Sequence, residues 1–214
     1  MKKQSIFSMV IVLTIICLAS AYSLGFLFMI TKDKIEEQER KVIEESLTKV
    51  LPDADSEGFE EVETKTEDGK PFTYYKAYDK PVSSEDKKLV GYAVVGSAKG
   101  YSSTIVVMVG VDSEIKKIKG LKILQQQETP GLGAQCQSVV TDKKLWKPFS
   151  KGGKPKSWVD QFTDKSVDNL KVVKEKTDEH IEAITGATIT SNAVVQAARS
   201  AISTLSSVLK EESE

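Results

Sequence analysis

From Ile6 to Ile30 the chain carries no charged residue. A buried core helix is usually shorter and has a polar face, whereas a bilayer-spanning helix needs ~20 apolar residues, which this run exceeds. The stretch predicts one transmembrane helix over residues 6–30. A cleaved secretory signal is the competing reading, given Lys2 and Lys3 ahead of the run and the small residues Ala19-Ser20-Ala21 within it. The apolar character continues past that site through Leu24, Phe26, Leu27 and Phe28, so an uncleaved anchor is expected. Flanking charge is nearly balanced between Lys2 and Lys3 before the span and Lys32, Lys34, Arg40 and Lys41 after it. The short N-terminal segment, residues 1–5, favours a cytoplasmic start and an outer-face domain.

Beyond the anchor, residues 32–51 carry Ile35, Val42, Ile43, Leu47, Val50 and Leu51 at helical spacing before Pro52 stops the pattern. Residues 31–52 are therefore read as a stalk helix and residues 53–214 as one domain with its own core. The 30 basic and 31 acidic residues leave a formal charge of −1, which argues against a nucleic-acid partner. Cys17 lies in the apolar span and Cys136 in the domain, so they form no domain disulfide and cannot by themselves hold an iron–sulfur cluster. With His180 as the single histidine, histidine-based metal or nucleophile sites have little support. Asp160, Asp164 and Asp168 are regularly spaced but lack the glycine and terminal glutamate of a calcium loop, and no metal site is assigned.

Residues 73–78, 89–97, 102–111 and 113–124 are rich in β-branched and aromatic residues and are expected as strands. Residues 138–147 read as a helix, 167–173 as a strand and 191–210 as a final helix. Strands first and helices later imply an α+β fold: an antiparallel sheet with helices packed on it. Residues 151–156 read as a solvated loop.

Thr185-Gly186-Ala187-Thr188-Ile189-Thr190-Ser191 stands at the entrance of that final helix, where unpaired N–H groups and the positive end of the dipole can hold a phosphate. The plainer alternative is that Thr190 or Ser191 caps the helix without any ligand. Upstream, Glu128-Thr129-Pro130-Gly131-Leu132-Gly133 combines a rigid proline with glycines that allow close backbone approach, and by itself reads equally as a proline–glycine turn.

The segment Glu182-Ala183-Ile184-Thr185-Gly186-Ala187-Thr188 resembles the flavinylation motif of the FMN-binding domains of the Rnf and Nqr redox complexes, nearest their Rnf G-subunit branch. Gln127-Glu128-Thr129-Pro130-Gly131-Leu132-Gly133, Trp158-Val159-Asp160-Gln161-Phe162 and the strand region 91–110 are similar to the same family, in the same order. Two departures stand out: Glu182 where aspartate is usual and Gln126 where histidine is common. The resemblance implies covalent FMN, joined by a phosphoester to Thr188, with Thr185, Gly186, Ala187, Thr190, Glu128, Thr129, Gly131 and Leu132 around it. Trp146, Trp158 and Tyr101 are candidates to flank the ring, core or rim packing being the alternative.

The same resemblance implies a membrane-anchored electron relay within an ion-translocating ferredoxin:NAD oxidoreductase, with an extracytoplasmic soluble domain. Its partners would be the other membrane and peripheral subunits, and a flavin transferase during maturation. No residue is assigned a catalytic role, and the domain alone is not expected to oxidise NADH, since it lacks a Gly-x-Gly-x-x-Gly nucleotide fingerprint. The reading from another class is an anchored binding or assembly module without a redox role; a stand-alone flavin reductase ranks third.

Overall fold

The computed structural model describes residues 3–66, 69–140, 156–175 and 179–212. The chain divides into two compact units, Met1–Glu44 and Glu45–Glu214. Helix α1 (Lys3–Val50) makes up the described part of the first and enters the second at Glu45. In the first unit the large side chains between Phe7 and Ile30 are all exposed, so nothing among the described residues covers them. This segment is long and apolar enough to cross a membrane. The hydroxyls of Thr14 and Thr31 donate to the carbonyls of Val10 (2.9 Å) and Leu27 (2.8 Å), which satisfies them without water. Past the apolar run the helix is supported by the exposed pairs Lys32–Glu36 at 3.7 Å and Glu37–Lys41 at 2.6 Å, each contributing a few tenths of a kcal/mol (about 0.3–0.5).

The second unit is built on an antiparallel meander of five strands in sequential order: β1 (Phe59–Lys65), β2 (Pro71–Tyr78), β3 (Leu89–Lys99), β4 (Thr104–Asp112) and β5 (Ile118–Gln125). Strand β1 does not stand out in the sequence, because Glu60, Glu61 and Glu63 dilute its pattern. That charge suits an edge strand, where it discourages pairing with another chain. Ile115, at φ 57, turns the chain between β4 and β5, so the expected strand over 113–124 starts only at Ile118. The Asp112 carboxylate accepts from the N–H groups of Lys116 (2.7 Å) and Lys117 (3.1 Å) across this turn.

One face of the sheet packs against helix α2 (Thr188–Glu211). Ile105, Val107, Val109 and Val111 of β4 join Val94 and Tyr74 to meet Val194, Ala197, Ala198, Ala201, Ile202 and Leu205 of the helix. Gly96 brings the two close, because a Cβ there would lie 2.7 Å from the Ala201 Cβ. The opposite face is covered by the end of α1. Ala93, Gly110 and Gly120 stand in register across β3, β4 and β5, making a shallow trough. A Cβ at Gly110 would lie 2.5 Å from the Val50 carbonyl oxygen and 2.9 Å from the Leu51 Cγ. Leu47, Val50 and Leu51 are accordingly buried.

Three expected elements differ. Within 138–147, Val139–Val140 form a short strand, β6, paired with β7 (Lys156–Ser157), instead of starting a helix; residues 141–147, Trp146 among them, and most of the loop 151–156 lie outside the described residues. Within 167–173, Val167–Asn169 form a 3-10 turn and only Val172–Val173 are extended, as β8, parallel to β9 (Ile181–Glu182). Helix α2 begins three residues earlier than the apolar periodicity places it, at Thr188.

Replacing Gly110 by alanine should destabilise the domain by about 1–3 kcal/mol, measured as a fall in the urea midpoint, because the new methyl group overpacks the α1 trough. An open strand position would give the reverse sign, since alanine is normally preferred there by about 0.5–1 kcal/mol.

Candidate functional site

The loop after β5 carries Glu128, a carboxylate that is only 6% exposed. Three backbone N–H groups of the β3–β4 turn point at it: Tyr101 at 3.3 Å, Ser102 at 3.0 Å and Ser103 at 3.0 Å. The Thr190 hydroxyl donates to its Oε2 at 2.6 Å. Two glycines make the approach possible. A Cβ at Gly100 would lie 2.6 Å from Glu128 Oε1, and one at Gly133 would lie 2.8 Å from Oε2. Burial opposes ionisation of Glu128, but the Thr190 hydroxyl and the three N–H groups outweigh it and hold the carboxyl below its usual range. Gln126, in the position where the family commonly has histidine, accepts from the Glu128 N–H at 2.8 Å and braces the loop.

Helix α2 starts at Thr188 after Gly186, whose φ of 76° turns the chain into the helix. The residue at its N-cap is Ala187, and no side chain caps it. This removes the plainer alternative, in which Thr190 or Ser191 is the cap. Thr190 is spent on Glu128, and Ser191 donates to the Ala187 carbonyl at 3.1 Å and accepts from the Ile184 N–H at 3.0 Å. Both are buried, whereas Thr188 is exposed. Thr190 follows Thr188 by ~200° around the helix axis, which carries its hydroxyl inward to Glu128 at the back of the entrance.

Between these elements lies a cleft of about 460 Å³, lined by Tyr101, Glu128, Thr129, Leu132, Gly133, Gly186, Ala187, Thr188, Ile189 and Thr190. Its size falls inside the ~300–1,000 Å³ typical of cofactor pockets. Seven expected site residues converge on it: Glu128, Thr129, Leu132, Gly186, Ala187, Thr188 and Thr190. Thr185 and Gly131 do not line it; both are exposed, and Gly131, at φ 77°, shapes the turn that presents Leu132. Gly133 and Ile189 are additional lining residues. Gly133 was legible as part of the Gly131-Leu132-Gly133 run, whereas Ile189 stood in the helix-entrance stretch with no role of its own. Tyr101 (70% exposed), Leu132 (45%) and Ile189 (56%) leave large apolar surfaces open around the mouth. An uncapped helix start for an anion below such a rim fits a phosphorylated, flat aromatic cofactor such as FMN.

The Trp158-Val159-Asp160-Gln161-Phe162 segment, a 3-10 turn, supports this entrance from behind. Trp158 Nε1 donates to the Glu182 carbonyl at 2.7 Å, and the Glu182 N–H donates to Gln161 Oε1 at 2.9 Å. Residue 182 is thus held by its backbone. Trp158 stacks edge-on against Phe162 at 5.5 Å and does not line the cleft, so it is packing rather than a ring partner. Cys136 is fully buried in the core, and burial, with the Glu128 charge, pushes its thiol up to about 11, which makes it structural. Among the described residues no three or more histidine, cysteine or acidic side chains gather as a metal site.

Because the folded Glu128 carboxyl titrates below its unfolded value, its contribution is complete above about pH 4.3 and fades as pH falls through the folded pKa. Glu128→Gln should therefore lower stability by about 2 kcal/mol at pH 7, with the gap from wild type narrowing at pH 3, as read from denaturant midpoints at the two pH values.

Residues 100–203 match the model of the FMN-binding domain family. The G subunit of the proton-translocating ferredoxin:NAD(+) oxidoreductase complex of Clostridium ljungdahlii is 30% identical over 201 residues, covering 94% of this chain and 91% of that protein. The G subunit of the Na(+)-translocating complex of Acetobacterium woodii is 30% identical over 200 residues, covering 88% and 86%. Among solved structures, the C subunit of the Na(+)-translocating NADH-quinone reductase of Parabacteroides distasonis shares the fold, with a TM-score of 0.53 at 18% identity over 83% of this chain and 94% of that one. By sequence, the chain belongs to the G-subunit family of the ion-translocating ferredoxin:NAD(+) oxidoreductase (Rnf) complexes, built on an FMN-binding domain.

Proposed function

We propose that the chain is a membrane-anchored flavoprotein subunit that carries FMN as a phosphoester on Thr188 and relays electrons within an ion-translocating ferredoxin:NAD oxidoreductase. The observation that carries the assignment is the split of the three nearby hydroxyls: Thr188 is exposed in the cleft, Thr190 is buried on Glu128, and Thr185 lies outside it. Only Thr188 combines an accessible nucleophilic oxygen with an uncapped helix start beside it. FMN, when bound, supplies one- and two-electron redox chemistry. The protein's part is to hold and shield. The uncapped first turn of α2 would hold the phosphate through its N–H groups, Gly186 and Ala187 would keep the approach open, and Tyr101, Leu132 and Ile189 would offer apolar cover for a flat ring. A covalent bond makes retention independent of affinity, which suits a carrier facing the extracytoplasmic side.

Attachment requires a flavin transferase, and electron transfer requires the other membrane and peripheral subunits as donor and acceptor. The anchor over residues 6–30 keeps the N-terminus in the cytoplasm and the domain outside the cell membrane. In right-side-out cells, added protease should digest the domain; complete protection would reverse this topology.

Coexpression with a flavin transferase tests the attachment. Wild-type chain should fluoresce in a denaturing gel, Thr188→Val should be dark while still folding, and Thr185→Val should stay fluorescent. A dark wild-type band would favour the non-redox assembly module, and a fluorescent Thr188→Val band would move the bond to another hydroxyl.

A further inference from the structure

Glu128 is buried and ionised in the wall of the cleft, yet among the described residues no lysine, arginine or histidine pairs with it. Its partners among the described residues are dipoles only: three N–H groups and the Ser103 hydroxyl (3.4 Å) from the β3–β4 turn, and the hydroxyl of Thr190. Dipoles lower the self-energy of a charge, but they do not cancel its field at a distance as a countercharge does. The neighbouring walls are Leu132, Ala187 and Ile189, apolar groups that screen weakly. A ligand in this cleft therefore experiences a fixed negative potential that no binding contact explains. Reduction of an isoalloxazine by two electrons with uptake of one proton adds one negative charge to the ring, and that added charge is what a fixed carboxylate opposes.

We propose that Glu128 sets the reduction potential of the flavin carried by this domain, making the flavin harder to reduce than the cleft would with a neutral residue there. The proposal rests on flavin attachment at Thr188. Glu128 acts as a positioning and field-setting residue: it joins the β3–β4 turn to α2 and places one negative charge in the wall. Thr190 belongs to the same device, because its hydroxyl partly offsets that charge at 2.6 Å. The two side chains thus push the potential in opposite directions, which a purely structural role for either would not do.

The experiment uses the full chain, coexpressed with a flavin transferase and purified in detergent, with spectroelectrochemical titration at pH 7 and in-gel fluorescence of each sample. Glu128→Gln should raise the midpoint potential, shifting the reduction equilibrium on the order of tenfold, about 30 mV for a two-electron couple. Thr190→Val should lower it, since the carboxylate keeps its charge and loses a donor. After denaturation all three proteins should titrate alike. Fluorescent bands with unchanged potentials, or shifts of the same sign in both variants, overturn the role of Glu128 and leave the attachment intact. If Glu128→Gln takes up no flavin, Thr190→Val decides alone: a downward shift upholds the proposal, and an unchanged or raised potential overturns it. A wild-type chain without covalent flavin overturns the attachment and this proposal together.

Discussion

A buried carboxylate stabilised by backbone N–H groups and hydroxyls, with no cation paired to it among the described residues, is the constraint on which the site depends. Glu128 draws three separate pieces of chain to one point: the turn after β3, the loop after β5 and the first turn of α2. None of these would hold that arrangement alone, because a turn, a glycine-rich loop and a helix start each have several conformations of similar energy. The carboxylate selects one. It also leaves Gly100 and Gly133 no freedom to carry a side chain, since either Cβ would intrude on its oxygens. Charge-assisted hydrogen bonds of this kind are worth roughly twice neutral ones, enough to offset the cost of taking the group out of water.

The sheet plays a different part. Its two faces are closed by different helices, α2 against Ile105, Val107 and Val109, and the last turn of α1 against the trough at Gly110 and Gly120. A sheet covered on both sides is stiff, and the hairpin turn that meets Glu128 is an extension of its strands β3 and β4. The cleft accordingly has one rigid wall and one wall formed by a helix start, an arrangement that keeps an attached group's surroundings defined while its outer edge stays open.

Much of this was legible in the sequence because it rests on local chemistry. The apolar run, the β-branched and aromatic residues of β2 to β4, the proline–glycine loop and the threonine-rich entrance each announce themselves within a few residues. What stayed hidden depends on distance in the chain. Thr190 read as a cap because its local pattern is that of one, and only a carboxylate 62 residues away turns it to another use. The start of α2 at Thr188 was missed for the same reason: the apolar stripe begins deeper in the helix, while the first turn is recruited to the cleft. Strand β1 was concealed by its glutamates, and the 138–147 helix expectation failed at Val139–Val140, where pairing with Lys156–Ser157 prevails over local preference. Trp158 looked like a ring partner and is instead a brace, a distinction that residue type does not encode.

The glycine trough also marks where this protein can be cut. Because Leu47, Val50 and Leu51 fill it, the boundary of the folded unit falls at Glu45, inside a continuous helix rather than at the membrane edge or at Pro52. A water-soluble version that discards the apolar segment must retain that last helical turn as its own N-terminus. Removing it would lay bare a strip of backbone and small residues with the geometry of an empty socket, and the domain would then seek another helix to fill it.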